Sequence, residues 1–422
     1  MIEGDVAPAP SPVRHRNACR LCGARDLVKV IALAPSPPAN AFVPASALHE
    51  PQPKFPLDVW FCRGCGHVQL LDVIDPAVLF RDYVYTSGTS PVFVGHFRRY
   101  ADEIVGRFGL ESGDLVVEIG SNDGTLLRFF QQNGHRVLGV DPAVDIARRA
   151  TDAGIETIPA FFTPSLAQEI RERHGGGRAV VANNVFAHID DLSSVVEGVR
   201  TLLTPDGVFV FEVSYLLDVF QKTLFDTIYH EHLDYHTAKP LIPFFARHGL
   251  RLFDAERVET HGGSLRGYAG FDRGPHETTD RLGRLIDLEH RAGLDRPEAY
   301  QDFSARIDHL GEELLELLRN LRGDGARIAG FGAPAKATTL MHHFSLGPDL
   351  LDFIVDDSPM KQGLYTPGYH IPVMPSSAIY ERRPDYLLIL AWNFADAIVQ
   401  NHRDFGQTGG RFIVPLPELK VL

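Results

Sequence analysis

The sequence predicts an α/β chain with two doubly wound, Rossmann-like sheets behind a small cysteine-knuckle unit. Three observations predict it. Leu115-Val116-Val117 is a continuous apolar run, as a buried parallel strand needs; it passes through Glu118-Ile119-Gly120 into a helix opening at Thr125. A second apolar run, Val137 to Val140, ends in Asp141, twenty-one residues after Gly120, which completes a strand–turn–helix–strand–acid cradle. The plan recurs from Arg327 to Ala337, with Gly330-Phe331-Gly332 as its turn, and all four cysteines fall ahead of both cradles. The expected units are a disordered tail over 1–16, a four-cysteine domain over 17–78, a central domain over 79–275, a helical connector over 276–322 and a C-terminal Rossmann-like domain over 323–422.

Composition narrows the function. The chain has 422 residues, 44% hydrophobic and 23% charged, which are ordinary globular values for several domains. A formal net charge of −13 makes nucleic acid or an anionic membrane a poor partner. There is no run of eighteen apolar residues, so no transmembrane helix is expected. The Ala- and Pro-rich first sixteen residues lack the apolar core of a secretory signal. These features give a cytoplasmic expectation.

The cysteines read Cys19-x-x-Cys22-Gly23 and Cys62-x-x-Cys65-Gly66. Each pair forms a knuckle in which two thiolates bind one ion, and two knuckles give a closed tetrahedral site suited to structural Zn²⁺. Disulfides do not suit a cytosolic chain, and thioredoxin-like pairs come singly at a helix start. Phe55 to His67 alternates like a hairpin strand entering the second knuckle. The stretch Phe80 to Ser90 mixes aromatic and small polar residues; by itself it reads first as a linker ending in a capped helix start, Ser90 before Pro91, and second as a loop over a cofactor pocket that offers tyrosine hydroxyls. A helix from Val92 to Phe108 follows.

In the first cradle a dinucleotide fits badly. Asn122 stands where G-x-G-x-x-G needs its second glycine, and Glu118 at the strand end would repel a pyrophosphate. Glu-x-Gly-x-x-x-Gly suits a ligand with a cationic, phosphate-free tail, S-adenosylmethionine, and resembles the first motif of class I methyltransferases. Asp141 is placed to accept from ribose hydroxyls. Helices to about Ala153 and from Pro164 to Arg173, with strands at Ile155 to Ile158, Ala179 to Ala182 and Val208 to Val213, complete a β-α-β-α-β-α-β-α-β order. Asn183 lies beyond the carboxyl end of its strand, where ligands sit, and His188 is a few residues further.

Phe225 to His236 packs His230, His232 and His236 with three acids and two tyrosines. A zincin motif needs His where Asp234 stands, and nothing fixes a facial triad for iron. Proton chemistry fits better, because an adjacent Glu can orient a His or raise its basicity. A helix Lys239 to His248 and a strand Leu250 to Val258 lead to Thr260-His261-Gly262-Gly263-Ser264-Leu265-Arg266. Arg266 is placed to face a substrate phosphate or to pair with a core-edge acid. Leucines at three and four spacing up to Leu321 mark an amphipathic helix. In the second cradle, helix amides and Lys336 make an anion site that fits a nucleoside diphosphate at least as well as NAD.

Taken together, the four-cysteine unit, Tyr83-x-Tyr85-x-Ser87-Gly88-Thr89-Ser90, E-I-G-S-N-D-G, A-N-N-V-F-A-H-I, Y-H-E-H-L-x-Y, H-G-G-S-L-R and G-F-G-A-P-A-K occur in one order from Cys19 to the C-terminus. The chain resembles the three-domain nucleotide-sugar C-methyltransferases that make branched deoxysugars. The resemblance implies a class I methyltransferase central domain that binds S-adenosylmethionine, and a C-terminal domain that helps hold a dTDP-4-keto-deoxysugar. It places the catalytic histidine on His232 and further functional positions on Tyr83, His188, Tyr229 and Glu231, without departure. The expected cofactor set is Ser87, Glu118, Gly120, Asn122, Asp123, Asp141, Pro142, Asn183 and Val185. The expected substrate set is His261, Arg266, Gly332, Lys336, Trp392 and Asn393, and the metal set is Cys19, Cys22, Cys62 and Cys65. His232 would be the base, oriented by Glu231. A monomer or weak oligomer without nucleic-acid or membrane partners is expected. The rival readings are an O- or N-methyltransferase, a non-enzymatic zinc protein and an NAD enzyme.

Overall fold

The structure is a computed structural model that describes residues 13–80, 91–260 and 262–422. Tyr83, Ser87 and His261 lie outside the described residues. The central unit is a seven-stranded sheet in the order 250–258, 264–271, 203–214, 177–183, 115–119, 136–140, 157–158. Leu115–Ile119 is buried along its whole length and pairs in parallel with Arg136–Val140 on one side and Gly177–Asn183 on the other. The apolar run Leu115-Val116-Val117 within it follows from having both faces covered. Ser264–Phe271 runs antiparallel between Leu203–Ser214 and Leu250–Val258. Counted along this unit the order is 6-7-5-4-1-2-3 with strand seven reversed, the class I methyltransferase sheet.

The C-terminal unit is a six-stranded sheet in the order 373–374, 354–355, 328–331, 386–389, 411–414, 420–421, which is the Rossmann order 3-2-1-4-5-6 with its last strand antiparallel. The two cradles share their joinery. Gly120 N–H donates to the Val140 carbonyl and Gly332 N–H to that of Val355, each at 2.7 Å. In each unit the next residue is an aspartate whose carboxylate accepts from the glycine loop. Asp141 takes Asn122 N–H at 2.8 Å and Ala143 N–H at 2.9 Å; Asp356 takes Ala333 N–H at 2.7 Å and Ser358 N–H at 2.8 Å.

The charged stretch after 276 forms two helices, Asp280–Arg291 and Ala299–Gly323; the second buries Ile307, Leu310, Leu314 and Leu318, with Leu315 and Leu321 half-buried on the same side. The N-terminal sheet was not legible as built. Its order is 234–235, 68–70, 55–62, 27–36, so two residues of the central histidine-rich stretch supply its fourth strand. Asp234 pairs with Gln69 and Tyr235 with Val68. No helix among the described residues is long and apolar enough to cross a membrane.

Candidate active site and metal centre

The metal centre forms as its spacing predicts. One sulfur from each of Cys19, Cys22, Cys62 and Cys65 lies within 4.8 Å of the others, and all four thiols are free. Cys22 and Cys62 sulfurs are 3.4 Å apart, Cys19 and Cys65 sulfurs 3.7 Å. Burial, then the neighbouring Cys19 sulfur, pushes the Cys62 thiol up to about 12. Four thiolates this close need a cation to discharge them, and a Cys₄ set without an open position fits zinc held for structure.

Between the knuckle cysteines, Arg20 is buried and reaches across the domain seam. Its Nε donates to Asp190 Oδ1 at 3.1 Å, and its Nη1 to Gln69 Oε1 at 3.3 Å and to the Leu70 and Leu233 carbonyls. His67 Nε2 lies 2.6 Å from Asp234 Oδ1, both fully buried. The knuckles therefore hold the residues next to His188 and His232. Sequence reasoning missed this, because Arg20 occupies an x position of its C-x-x-C motif.

At the carboxyl ends of the central strands a polar cradle is left open to a ligand. Among the described residues, Glu118 Oε2, Ser121 Oγ and the Asn183 amide are buried with no partner beyond the approach of Glu118 and Asn183 to each other. Buried polar atoms in a native fold ordinarily have partners, so this group marks a ligand's place. Burial pushes the Glu118 carboxyl well up, and the nearby Asp123 and Asp141 push it the same way. A donor-rich, cationic ligand relieves that strain, whereas a pyrophosphate would add to it, so the residues fit S-adenosylmethionine. Asp141 keeps lone pairs for ribose hydroxyls while bracing the loop. Gly120, at φ +69°, is required for a different neighbour than expected: a Cβ there would meet Val185 Cγ2 at 2.2 Å. Asp123 accepts from the Thr125 hydroxyl at 2.6 Å, opening the helix Thr125–Gln132. Asn122, at φ 49°, and Pro142 stand half-buried on the same loops.

Beyond Asn183 the predicted reaction-centre residues come together. His188 and His232 stack with ring centroids 4.8 Å apart, Tyr229 lies against His232 at 4.0 Å, and Phe80 covers His188 at 5.8 Å. Backbone bonds set the stack, since Leu233 N–H donates to the Ala187 carbonyl at 2.8 Å. Burial, with His232 beside it, holds the His188 imidazole well below its usual range, so it is neutral at pH 7. His232 Nδ1 lies 2.8 Å from the Thr227 carbonyl and therefore carries the ring proton, which makes Nε2 the basic nitrogen. A backbone carbonyl thus holds Nδ1, and Glu231, the neighbour expected to orient the ring, accepts at Oε1 from Asn40 Nδ2 at 2.8 Å. A backbone carbonyl carries no sequence signature.

Two substrate expectations change. Arg266 faces acids, not a phosphate site. Its Nε donates to Glu212 Oε2 at 2.9 Å and Nη1 to Glu103 Oε2 at 2.8 Å. Burial alone would raise the Glu212 carboxyl, but His96, Arg266 and Thr260 bring it down to about 2. Arg266→Met leaves buried Glu212 with His96 and Thr260 but without its guanidinium partner, and the expected loss is about 3–5 kcal/mol in denaturant titration. A loss under about 1 kcal/mol would return Arg266 to the substrate set. Trp392 is the second change. Its indole is buried and donates to Asp226 Oδ2 at 2.5 Å, and Lys336 Nζ sits 3.5 Å above the ring centroid. Burial lowers Lys336 to about 8, with Asp226 opposing the fall. Gly332 packs so closely on Ala391 that a Cβ would come within 2.5 Å. Gly332 thus meets Ala391 at the strand ends, and Lys336 stands by Trp392 and Asp226 at the seam with the central unit. Asn393 is exposed beside it.

Family models match three consecutive stretches of the chain. One described as "Putative zinc binding domain" matches residues 19–80, one described as "Methyltransferase domain" residues 93–254, and one described as "C-methyltransferase C-terminal domain" residues 259–417. The chain is 40% identical over 410 residues to C-methyltransferase NovU of Streptomyces niveus, covering 97% of this chain and 98% of that protein. It is 24% identical over 155 residues to a ubiquinone biosynthesis O-methyltransferase of Colwellia psychrerythraea, covering 34% of this chain and 63% of that protein. Among solved structures, magnesium protoporphyrin IX methyltransferase from Synechocystis is 17% identical with a TM-score of 0.32, covering 42% of this chain and 80% of that one. The full-length match, the three domain models in order and the two fitted sites lead to one assignment: this chain belongs to the family of S-adenosylmethionine-dependent C-methyltransferases that includes NovU, with a four-cysteine zinc-binding domain at its N-terminus.

Proposed function

We propose that the protein methylates a carbon beside the ketone of a nucleotide-activated 4-keto-deoxysugar, with a dTDP-sugar favoured. The observation that carries the reading is the Tyr229–His232–His188 stack with His232 Nδ1 held by a carbonyl. A proton next to a ketone is weakly acidic, so C-methylation needs a positioned base and a donor for the oxygen that takes up the electron pair. His232 Nε2 takes the proton, and the Thr227 carbonyl stabilises the imidazolium that results. His188, held neutral, or Tyr229 donates to the developing enolate oxygen; Tyr83 is assigned the same role by resemblance. S-adenosylmethionine, when bound, would supply an electrophilic methyl to the enolate carbon and leave as S-adenosylhomocysteine. Glu118, Asn183 and Asp141 hold that cofactor, with Asn122, Asp123, Pro142, Val185 and Ser87 around it. Lys336, with Gly332 and Asn393, receives the nucleotide from the C-terminal side, and Glu231 with Asn40 braces the base-bearing loop.

The test is a panel of dTDP- and GDP-4-keto-deoxysugars. Each is incubated with S-adenosylmethionine and followed by mass spectrometry, then in D₂O with S-adenosylhomocysteine in its place. The expected result is a product heavier by one methyl on carbon, and deuterium entering beside the ketone only when His232 is intact. A methyl found on oxygen or nitrogen, with no exchange at carbon, would establish an O- or N-methyltransferase instead.

A further inference from the structure

The base-bearing loop begins at the short 3₁₀ turn Phe225–Thr227, and the C-terminal unit reaches it by two hydrogen bonds and a ring contact. Trp392 Nε1 donates to the Asp226 carboxylate at 2.5 Å. Thr339, on the helix Ala335–His343, donates its hydroxyl to the Ile228 carbonyl at 2.8 Å. Asp226 and Ile228 flank Thr227, whose carbonyl lies 2.8 Å from His232 Nδ1. The Thr227 side chain is also tied, by its hydroxyl to the Leu224 carbonyl at 2.7 Å. Phe225 closes the grip against the rings of His343 and Phe344.

We propose that Thr339 and Trp392 are positioning residues for His232: gripping the loop on both sides of Thr227, they fix the carbonyl that sets the imidazole's tautomer and aim. Thr339 is 1% exposed and Ile228 2%, so this bond cannot serve a substrate directly. Trp392 is 8% exposed, and its donor is directed into a fully buried carboxylate. A carbonyl that drifts loses its hold on Nδ1–H, and the ring then samples the tautomer in which Nε2 carries the proton and accepts nothing. The C-terminal unit therefore acts on the base as well as on the substrate's far end. Its helix also donates from Thr338 to the Ala39 carbonyl at 2.9 Å, so the same helix braces the N-terminal unit.

The inference rests on His232 as the base, and the experiment separates the two. Thr339→Val, Thr339→Ser and Trp392→Phe are prepared in the full-length, zinc-loaded chain beside His232→Asn. Ring-¹⁵N-histidine spectra, with the His232 signal assigned by its loss in His232→Asn, read the tautomer without any substrate. Thr339→Val and Trp392→Phe are expected to move His232 from one dominant Nδ1–H form to a mixture. Their kcat on a dTDP-4-keto-deoxysugar is expected to fall by about 10- to 100-fold, with KM and the affinity for S-adenosylmethionine unchanged. Thr339→Ser keeps the hydroxyl and is expected to retain wild-type tautomer and rate. An unchanged tautomer in both Thr339→Val and Trp392→Phe overturns the proposal, as does a loss confined to KM. If His232→Asn stays active while the tautomer responds, the assignment of the base fails and the positioning does not.

Discussion

Replacing His232 with asparagine is expected to lower methyl transfer by about 10²- to 10⁴-fold, the span that a general base supplies. Binding of S-adenosylmethionine should stay within about two-fold by calorimetry, a change of about 0.4 kcal/mol. The two halves separate because the residues belong to different places. Glu118, Ser121 and Asn183 lie at or just past the ends of their strands, and we assign their unpartnered atoms to the cofactor. His232 sits on the loop after Thr227, held by that residue's carbonyl and by its stack with His188 and Tyr229. Asparagine can still take the Thr227 carbonyl as acceptor, so the loop keeps its brace while the basic nitrogen is gone. Deuterium entry beside the ketone should stop along with methyl transfer. Transfer at the wild-type rate in His232→Asn would remove His232 from the role of base and direct attention to His188. That residue is the weaker alternative, because burial holds its imidazole well below its usual range.

The legible parts of this chain are those where chemistry follows from local spacing. The cysteine knuckles, both glycine cradles and the amphipathic helix ending at Gly323 stand where the sequence places them. The gathering of His188, Tyr229 and His232 follows from their motifs, and the strand ends explain Asn183. What could not be read depends on partners distant in sequence. Asp234–Tyr235 looks like part of a polar loop, yet it closes a sheet built from residues 27–70. Arg266 had two open readings, and only the position of Glu103 and Glu212 across the sheet decides between them. Trp392 is in the expected substrate set, and it does follow a strand end, that of Tyr386–Ile389. Its partner, Asp226, is 166 positions away in sequence. The Thr227 carbonyl lies inside the stretch the sequence singles out, but a main-chain acceptor is invisible in a list of side chains.

Removing zinc is expected to have the second large effect, and to act on the reaction without a role in the chemistry. A closed Cys₄ site offers the metal no open position, so its energy goes into the fold, about 10–16 kcal/mol in small zinc peptides at neutral pH. In this chain the fold it secures includes the active-site loops. Arg20 sits between two ligands and bonds Asp190, two residues past His188, and the carbonyl of Leu233, next to His232. Leu70 N–H donates to that same carbonyl at 2.8 Å, and His67, two residues past Cys65, engages Asp234 at 2.6 Å. Loss of the ion frees the knuckles and with them both neighbours of the stacked histidines. Chelation, or Cys62→Ser, should therefore reduce kcat by at least about 100-fold, as displacing catalytic groups by an ångström does. The cofactor cradle is braced within its own sheet, by Gly120 N–H on Val140 and by Asp141 on Asn122. Affinity for S-adenosylmethionine should accordingly fall far less than kcat, and hydrogen exchange should quicken over 185–190 and 229–236 before it does over 115–124. A metal-stripped protein that retains its full rate would uncouple the knuckles from the histidine pair. One that loses cofactor affinity and rate in equal proportion would mean that zinc holds the whole fold and not the two loops in particular.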